Sequence, residues 1–410
     1  MPLIPYLAVL AVYLISSAVG GVVARRTGLP PLAGREDTLD GLRGLLAIGV
    51  FLCHAFAWYG VIHHEGWHDA RIPLFLHLGQ STVAMFFMLT AYLFFGRLLN
   101  ARERPVDWLH LYVSRVLRLA PAYVLAIVLM IGVVAWVTLL RIDGAGEGIV
   151  LRNWSDIAYS VAIWLGFSML GTPPIDAYMN TSMIVAGVTW SLPFEWVFYC
   201  ALPLLALPLR VRMPAALLVL GGCDVLWIGA WQPWSRWPYW FFLGGMAAAL
   251  LARSPAFVRW ARGPLASVVV LAVLAAVVAW CPTPFAAIPT VLLTLAFSVL
   301  ASGNAMFGVL HRAGPRMLGR VAYSIYLLHG LMLYVVFMIL VGLHRAAAWP
   351  DAVFWSVVVA LSAVLVVLAS AAFHLVELPG LRAVPHCVAG IRSGRARMAL
   401  ALRRRRSPRA

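Results

Sequence analysis

The sequence predicts an all-α polytopic membrane protein with about eleven transmembrane helices. Of its 410 residues, 63% are hydrophobic and 11% are charged, and a soluble core could not bury so many apolar positions. Most of them must therefore face lipid. Two further observations support this fold class: many apolar stretches approach the ~20 residues that a helix needs to cross a bilayer, and arginine is distributed unevenly between them.

Eleven apolar stretches follow one another along the chain and predict the crossings: 3–24, 40–62, 75–97, 117–140, 188–207, 214–231, 238–252, 264–281, 286–302, 321–343 and 352–376. The first is too long and too weakly basic at its start for a typical signal peptide, so we expect it to remain as a helix. Another apolar segment, 157–170, is shorter than the ~17 to 25 residues of a spanning helix. We expect this segment to dip into the membrane or to lie on its surface.

Arginine supplies all 31 basic residues, and its distribution predicts the orientation. With eleven crossings, 25 arginines lie on one side of the membrane and five on the other, and Arg43 lies within the second crossing. The arginine-rich side is cytoplasmic by the positive-inside rule. We therefore expect a multi-pass protein of the bacterial cytoplasmic membrane with its N-terminus outside. Its basic tail, 383–410, is then cytoplasmic and lies against anionic membrane lipid.

Charge and cysteine content exclude several other classes. The net charge of +16 does not indicate a nucleic-acid partner, because the arginines lie between hydrophobic spans and no nucleic-acid-binding motif accompanies them. Five cysteines without CxxC spacing predict neither a disulfide framework nor a zinc ribbon. The segment 64–68 satisfies the HExxH zinc pattern, but Gly66 weakens a helix there and no third ligand is evident. We expect no metal.

The second apolar stretch, LDGLRGLLAIGVFLCHAF, contains the most informative pair of residues. Arg43 and His54 are eleven residues apart, so at ~100° per residue they lie on one helical face. His54 is then roughly 16 Å deeper than Arg43 at ~1.5 Å per residue, near the middle of the bilayer. Ionisable groups at that depth are costly and usually functional, so we interpret the pair as part of a site.

Glu195 is the predicted partner of His54. Under the predicted topology the two residues lie seven or eight positions below the outer ends of their helices, and hence at similar depth. A carboxylate beside an imidazole would raise the basicity of the histidine and fix its tautomer, which suits a general base. Either residue alone could instead tie helices together. The other polar candidates are Asp40 and Ser191 on the same two helices, and Tyr323, Ser324 and His329 on the tenth predicted span.

Arg115 and Arg118 form an RxxR pair at the inner end of the fourth span, just after Arg97, Arg102 and Arg104. Two guanidinium groups at helical spacing match the oxygens of a polyanion such as a nucleotide phosphate. The alternative is that these arginines set orientation or contact lipid head groups.

Six motifs in order resemble the membrane acyltransferase 3 family: LDGLRGLLAIGVFLCHAF, MFFMLTAYLF, SRVLRLAPAY, TWSLPFEWVFY, AYSIYLLHG and HLVELPGLR. The resemblance covers about 39–382 and implies a ten-helix acyltransferase domain, preceded in 1–38 by one additional helix and a cytoplasmic loop. Thr90-Ala91-Tyr92 stands where members often have Ser-Gly-Phe.

The resemblance also implies an activity and roles for the site residues. Family members move an acyl group, commonly acetyl, from cytoplasmic acyl-CoA to a hydroxyl, often on an extracytoplasmic glycan. Arg43 and His54 match the family's Arg and His separated by ten residues, Arg115 and Arg118 match its RxxR, and Glu195 matches its WSLxxE glutamate. We therefore expect an O-acetyltransferase in which His54 and Glu195 are catalytic and the three arginines bind the phosphates of acetyl-CoA.

Two mechanisms and three functions are compatible with these residues. His54 could activate the acceptor directly or carry the acyl group as an acyl-histidine. The acceptor could be a cell-envelope polysaccharide or a small hydroxylated metabolite such as a glycosylated macrolide. A transporter for lipid-linked sugars would also need many spans and buried polar groups, although it would leave the ordered motifs unexplained. The oligomeric state cannot be predicted.

Overall fold

The computed structural model describes residues 3–28, 35–67, 72–101, 105–140, 154–176, 178–230 and 236–406. Within these ranges the regular structure is helical, which confirms the predicted class, and it contains one isolated antiparallel bridge between Ile175 and Tyr178. The α-helices in chain order are α1 Ile4–Thr27, α2 Arg35–Ile62, α3 Pro73–Leu99, α4 Trp108–Leu140, α5 Trp154–Leu165, α6 Thr181–Ile184, α7 Ser191–Ala206, α8 Ala215–Ala230, α9 Trp237–Leu251, α10 Pro255–Ala261, α11 Pro264–Trp280, α12 Ala287–Ala301, α13 Ala313–Arg320, α14 Ala322–Tyr334, α15 Leu343–Ala347, α16 Asp351–Ala372 and α17 Leu378–Arg406.

Irregular helical turns adjoin several of these elements. A 3₁₀ turn at Val188–Trp190 leads into α7, and another lies at Val309–His311. The π-helical turns Val335–Val341 and Phe373–Glu377 follow α14 and α16 without a break. Turns of the π type often mark functional sites in helices.

Seven helical stretches in the described part of the chain are long and apolar enough to cross a membrane, which fits a multi-pass membrane protein. They are Ile4–Thr27, Asp37–Ile62, Pro73–Leu99, Trp108–Thr138, Val188–Ala206, Ala322–Val341 and Asp351–Gly394. Helices α9 and α10 would together make an eighth crossing if they formed one span, but they are bent by 104° relative to each other.

The predicted count of eleven crossings is not confirmed. All eleven apolar stretches are helical, but α8, α11 and α12 have 16, 17 and 15 residues. At ~1.5 Å per residue these helices are about 23 to 26 Å long, shorter than a hydrocarbon layer of ~30 Å. The segment 157–170 comprises most of the twelve-residue α5 and the turns that follow this helix. It is therefore also too short for a crossing.

Close approach of α2 and α13 holds the centre of the bundle together. A Cβ atom added to Gly319 of α13 would lie 1.7 Å from the Asp40 carbonyl oxygen, and one added to Gly44 would lie 2.3 Å from that of Pro315. Small residues let helix backbones approach in this way, and dispersion contacts then drive their association. The approach places Asp40 and Arg43 directly against α13.

The segment before α7 enters the bundle and does not run over its end. Ile184 and Val188 are completely buried or nearly so, and a Cβ atom on Gly330 of α14 would lie 2.5 Å from the Val185 carbonyl carbon. Tyr178 also forms a short hydrogen bond to Tyr334. Because this segment packs inside, α7 begins within the bundle.

The arginine-rich connections between helices contact one another and therefore lie at one end of the bundle, which we call the arginine end. It comprises residues 25–28, 35–37, 97–101, 105–108, 207–214, 252–263 and 302–320, with the part of the C-terminal helix around Arg392. Direct contacts join Arg316 to Asp37 at 2.8 Å, Arg392 to Asp107 at 2.6 Å, Arg253 to Asn100 at 2.7 Å, Arg262 to the Ser302 carbonyl at 3.2 Å and Trp108 to the Arg212 carbonyl at 3.0 Å.

Gly319→Ala is expected to destabilise the protein, because the new methyl group would overlap the α2 backbone. Overpacking of this kind costs about 1–3 kcal/mol and should lower the Tm in detergent. Gly96→Ala in α3 is the matched control, since a Cβ atom there meets nothing within 4 Å. Equal Tm values for the two variants would contradict the tight contact.

Candidate active site

A cavity lies between α2, α3, α4, α7, α13 and α14. It brings together most of the residues that the sequence singled out. The polar and charged lining residues are Arg43, Thr90, Arg115, Arg118, Ser191, Glu195, Tyr199, Tyr323 and Tyr326. Phe86, Phe87 and Phe94 contribute to the apolar part of the wall. A cavity that combines apolar walls with a few convergent polar groups is typical of a ligand site.

Three guanidinium groups line the cavity, but only one of them has a carboxylate partner. Arg43 forms a salt bridge with Asp40 one turn earlier in α2, at 2.6 Å. Arg115 lies over the ring of Phe94, with its guanidinium carbon 5.0 Å from the centroid. Neither Arg115 nor Arg118 forms a salt bridge with a carboxylate of the described residues. Half-buried cations that form no direct salt bridge are costly, so this wall would be stabilised by a bound anion.

Glu195 lies among these arginines. Its carboxylate accepts a hydrogen bond from the Tyr199 hydroxyl at 3.2 Å, and it lies within electrostatic range of Arg43, Arg115 and Arg118. It is the single carboxylate among the residues that line the cavity. The lining of the cavity therefore carries three guanidinium groups and one carboxylate. Outside the lining, Asp40 pairs with Arg43 and Glu377 lies within electrostatic range of Arg118.

The structure does not bring Glu195 to His54, contrary to the expectation from the sequence. Glu195 bonds to Tyr199 near the arginines, whereas His54 does not line the cavity. The expectation assumed that α7 begins at the surface of the membrane. Because residues before α7 pack inside the bundle, Glu195 lies deeper along its helix axis and reaches the level of Arg43.

The partner of His54 is His329 of α14. His54 Nδ1 lies 3.0 Å from His329 Nε2 and 3.0 Å from the Val50 carbonyl oxygen. His54 is partly exposed and stacks on Trp67, with ring centroids 6.0 Å apart. His329 is completely buried, and its Nδ1 lies 3.0 Å from the Ile325 carbonyl oxygen. The structure thus pairs two residues that the sequence analysis named separately.

An acyltransferase domain matches residues 36–373, more than four fifths of the chain. The chain belongs to the acyltransferase 3 family. This match confirms the resemblance and indicates an acyltransferase. It begins after α1 and includes the arginine cavity and the His54–His329 pair. No curated protein and no solved structure matches the chain.

One turn of α14 links the two parts of this candidate site. Tyr326 lines the cavity, and its hydroxyl lies 2.8 Å from the Val188 carbonyl oxygen and 2.9 Å from the Ser191 hydroxyl. The ring of His329, three residues later, is 6.1 Å from that of Tyr326 and contacts His54. The arginine cavity is therefore connected to His54 through the side chains of Tyr326 and His329.

The remaining candidates support the site from α14. Tyr323 lines the cavity and donates a hydrogen bond to the Leu119 carbonyl at 3.2 Å, next to Arg118. Ser324 points away from it and donates a short hydrogen bond to Glu377, a buried residue of the π-helical turn that ends at that position. Ser324 therefore ties α14 to the C-terminal helices.

Sequence reasoning did not single out Glu377 or Tyr199, and it left Tyr326 out of the candidate site residues. Glu377 lies in the HLVELPGLR motif. A carboxylate at the end of an apolar span is costly and usually has a function, so this position could have been named as a candidate. Tyr199 is one helical turn after Glu195, so its contact with that carboxylate follows from helix geometry. Tyr326 lies between two candidates of α14, Ser324 and His329, but the residues that it contacts are far away in sequence.

Some predicted features lie outside the described residues. They include Arg102, Arg104 and His68, the last residue of the HExxH pattern. The preceding residues His64, Glu65 and Gly66 form a turn after α2. In the described ranges, no group of three His, Cys, Asp or Glu residues could hold a metal ion.

Pyrophosphate is expected to stabilise the wild-type protein, because Arg115 and Arg118 form no salt bridge with a carboxylate of the described residues. At ten times its Kd, an anion that binds only the folded state adds about 1.4 kcal/mol and raises the Tm in detergent. Arg118→Gln should abolish most of this increase. Arg253→Gln, which removes an exposed arginine that bonds to Asn100, should retain it. An equal increase in all three proteins would show that pyrophosphate acts elsewhere.

Proposed function

We propose that the protein is an O-acyltransferase that moves an acyl group from cytoplasmic acyl-CoA to a hydroxyl of an extracytoplasmic glycan or glycoconjugate. One observation carries this proposal: in the acyltransferase domain, a cavity lined by three arginines is connected through Tyr326 and His329 to a partly exposed histidine. The charged cavity suits the phosphates of the donor, and the histidine suits proton transfer from the acceptor.

The donor enters from the arginine end, which we assign to the cytoplasm because basic connections stay on that side. Arg115 and Arg118, with Arg43 behind them, bind the phosphates as charge-assisted hydrogen-bond donors. The eleven residues from Arg43 to His54 correspond to about 16 Å along α2. A long, thin pantetheine arm spans that distance, passes Tyr326 and brings the thioester to His54. We take acetyl-CoA as the donor.

His54 acts as the general base on the acceptor. Its Nε2 removes the proton of the acceptor hydroxyl, and the oxygen forms a bond to the thioester carbonyl carbon. The C–S bond then breaks, and the CoA sulfur leaves as a thiolate that takes up the proton. Because His54 is partly exposed and Trp67 stacks on its ring, an acceptor can approach it from the end of the bundle opposite the arginines.

Glu195 has a different role from the one that its spacing suggested. Its carboxylate lies with Tyr199 beside the arginines, so we assign it to the donor site. There it holds the guanidinium groups in position without neutralising all of them. Loss of this carboxylate is expected to raise the KM for acyl-CoA and to leave proton transfer at His54 in place.

Thiol release from acetyl-CoA by the detergent-purified protein, with and without an envelope-glycan extract, tests this function. Wild type should consume acetyl-CoA faster in the presence of the extract. His54→Ala should lose about 10²- to 10⁴-fold in rate, the usual contribution of a general base. His63→Ala is the matched control, because His63 also bonds to a carbonyl four residues earlier but lies exposed after α2.

The outcomes separate the candidate functions. Thiol release that needs His54 and is stimulated by the extract supports the proposal. Stimulation by a small glycosylated metabolite in place of the extract would identify that metabolite as the acceptor and contradict the glycan. If the wild type consumes neither acetyl-CoA nor longer acyl-CoAs, the transferase proposal is wrong, and movement of lipid-linked sugars becomes the function to measure.

A further inference from the structure

We propose that His329 is the positioning residue of the site, and that its Nε2 accepts a hydrogen bond from the Nδ1–H of His54. This bond aims the opposite nitrogen of His54 at the acceptor as an unprotonated base. The proposal rests on the proposed function, in which His54 is the base. It gives His329 the role that the sequence had suggested for Glu195.

Two backbone carbonyls determine which ring nitrogens carry protons. His54 Nδ1 faces the Val50 carbonyl at 3.0 Å, and His329 Nδ1 faces the Ile325 carbonyl at 3.0 Å. A carbonyl oxygen can only accept a hydrogen bond, so in the neutral rings both Nδ1 atoms carry the proton. His329 Nε2 is then a bare acceptor, and it lies 3.0 Å from the His54 Nδ1–H. The same assignment leaves His54 Nε2 with a free lone pair.

The hydrogen bond matters most after His54 has taken up a proton. The His54 ring is then a cation in an apolar bundle, and an uncompensated charge there is costly. In the described part of the chain, no Asp or Glu forms a salt bridge with either histidine. The Val50 carbonyl and His329 Nε2 therefore act together as acceptors for the positively charged Nδ1–H. Since His329 is completely buried, water does not compete for its Nε2.

The matched variants His329→Gln and His329→Asn test this role. The glutamine amide reaches the position of the His329 Nε2 and can still accept from His54. The asparagine amide reaches only the position of Nδ1, so it keeps the bond to Ile325 but not the bond to His54. We expect His329→Asn to lower kcat about 100-fold with the KM for acetyl-CoA unchanged, whereas His329→Gln keeps most of the wild-type kcat. Equal kcat values in the two variants, each with a Tm close to that of wild type, would overturn the proposal.

A second measurement does not depend on catalysis. In protein labelled with ¹⁵N-histidine, the His54 signals are identified by their loss in His54→Ala. We expect a protonated Nδ1 whose resonance moves in His329→Asn and stays in place in His329→Gln. An unchanged His54 resonance in His329→Asn would show that the hydrogen bond does not exist. If the wild type has no transferase activity, the proposed function fails, and this spectrum still decides the role of His329.

Discussion

The close approach of α2 and α13 is the constraint on which the rest of the structure depends. Glycines at 44 and 319 bring the two backbones into contact, and this contact places Arg43 at the wall of the cavity. Helix α2 also contacts α1, α3 and α14, so its position determines where the other walls lie. His54, about three turns further along α2, then meets α14 at His329.

Two neighbouring places in the bundle hold the ionisable groups of the candidate site. The lining of the arginine cavity carries three guanidinium groups and one carboxylate. The two histidines are hydrogen-bonded to each other and to backbone carbonyls. In the proposed function, a donor with a charged head and a reactive far end occupies both places at once. That division would separate donor binding from proton transfer, although both depend on residues of α2.

Helical periodicity made part of this arrangement predictable. The spacing of Arg43 and His54 within one helix, and of Arg115 and Arg118 within another, determines which face they share. The location of Glu195 was not predictable in this way, because it depends on how the segment before α7 folds back into the bundle. The pairing of His54 with His329 spans 275 residues, and no local pattern encodes such a contact. The number of crossings likewise depends on helix lengths and on the bend after α9, which hydropathy alone does not give.

A structure of the detergent-purified protein with bound coenzyme A tests the central claim most directly. We predict phosphate density against Arg115 and Arg118, with the pantetheine arm running past Tyr326 and the sulfur close to His54. Coenzyme A bound at another place, or in the cavity with its sulfur directed away from His54, would contradict the division of the site into a donor cavity and a histidine pair.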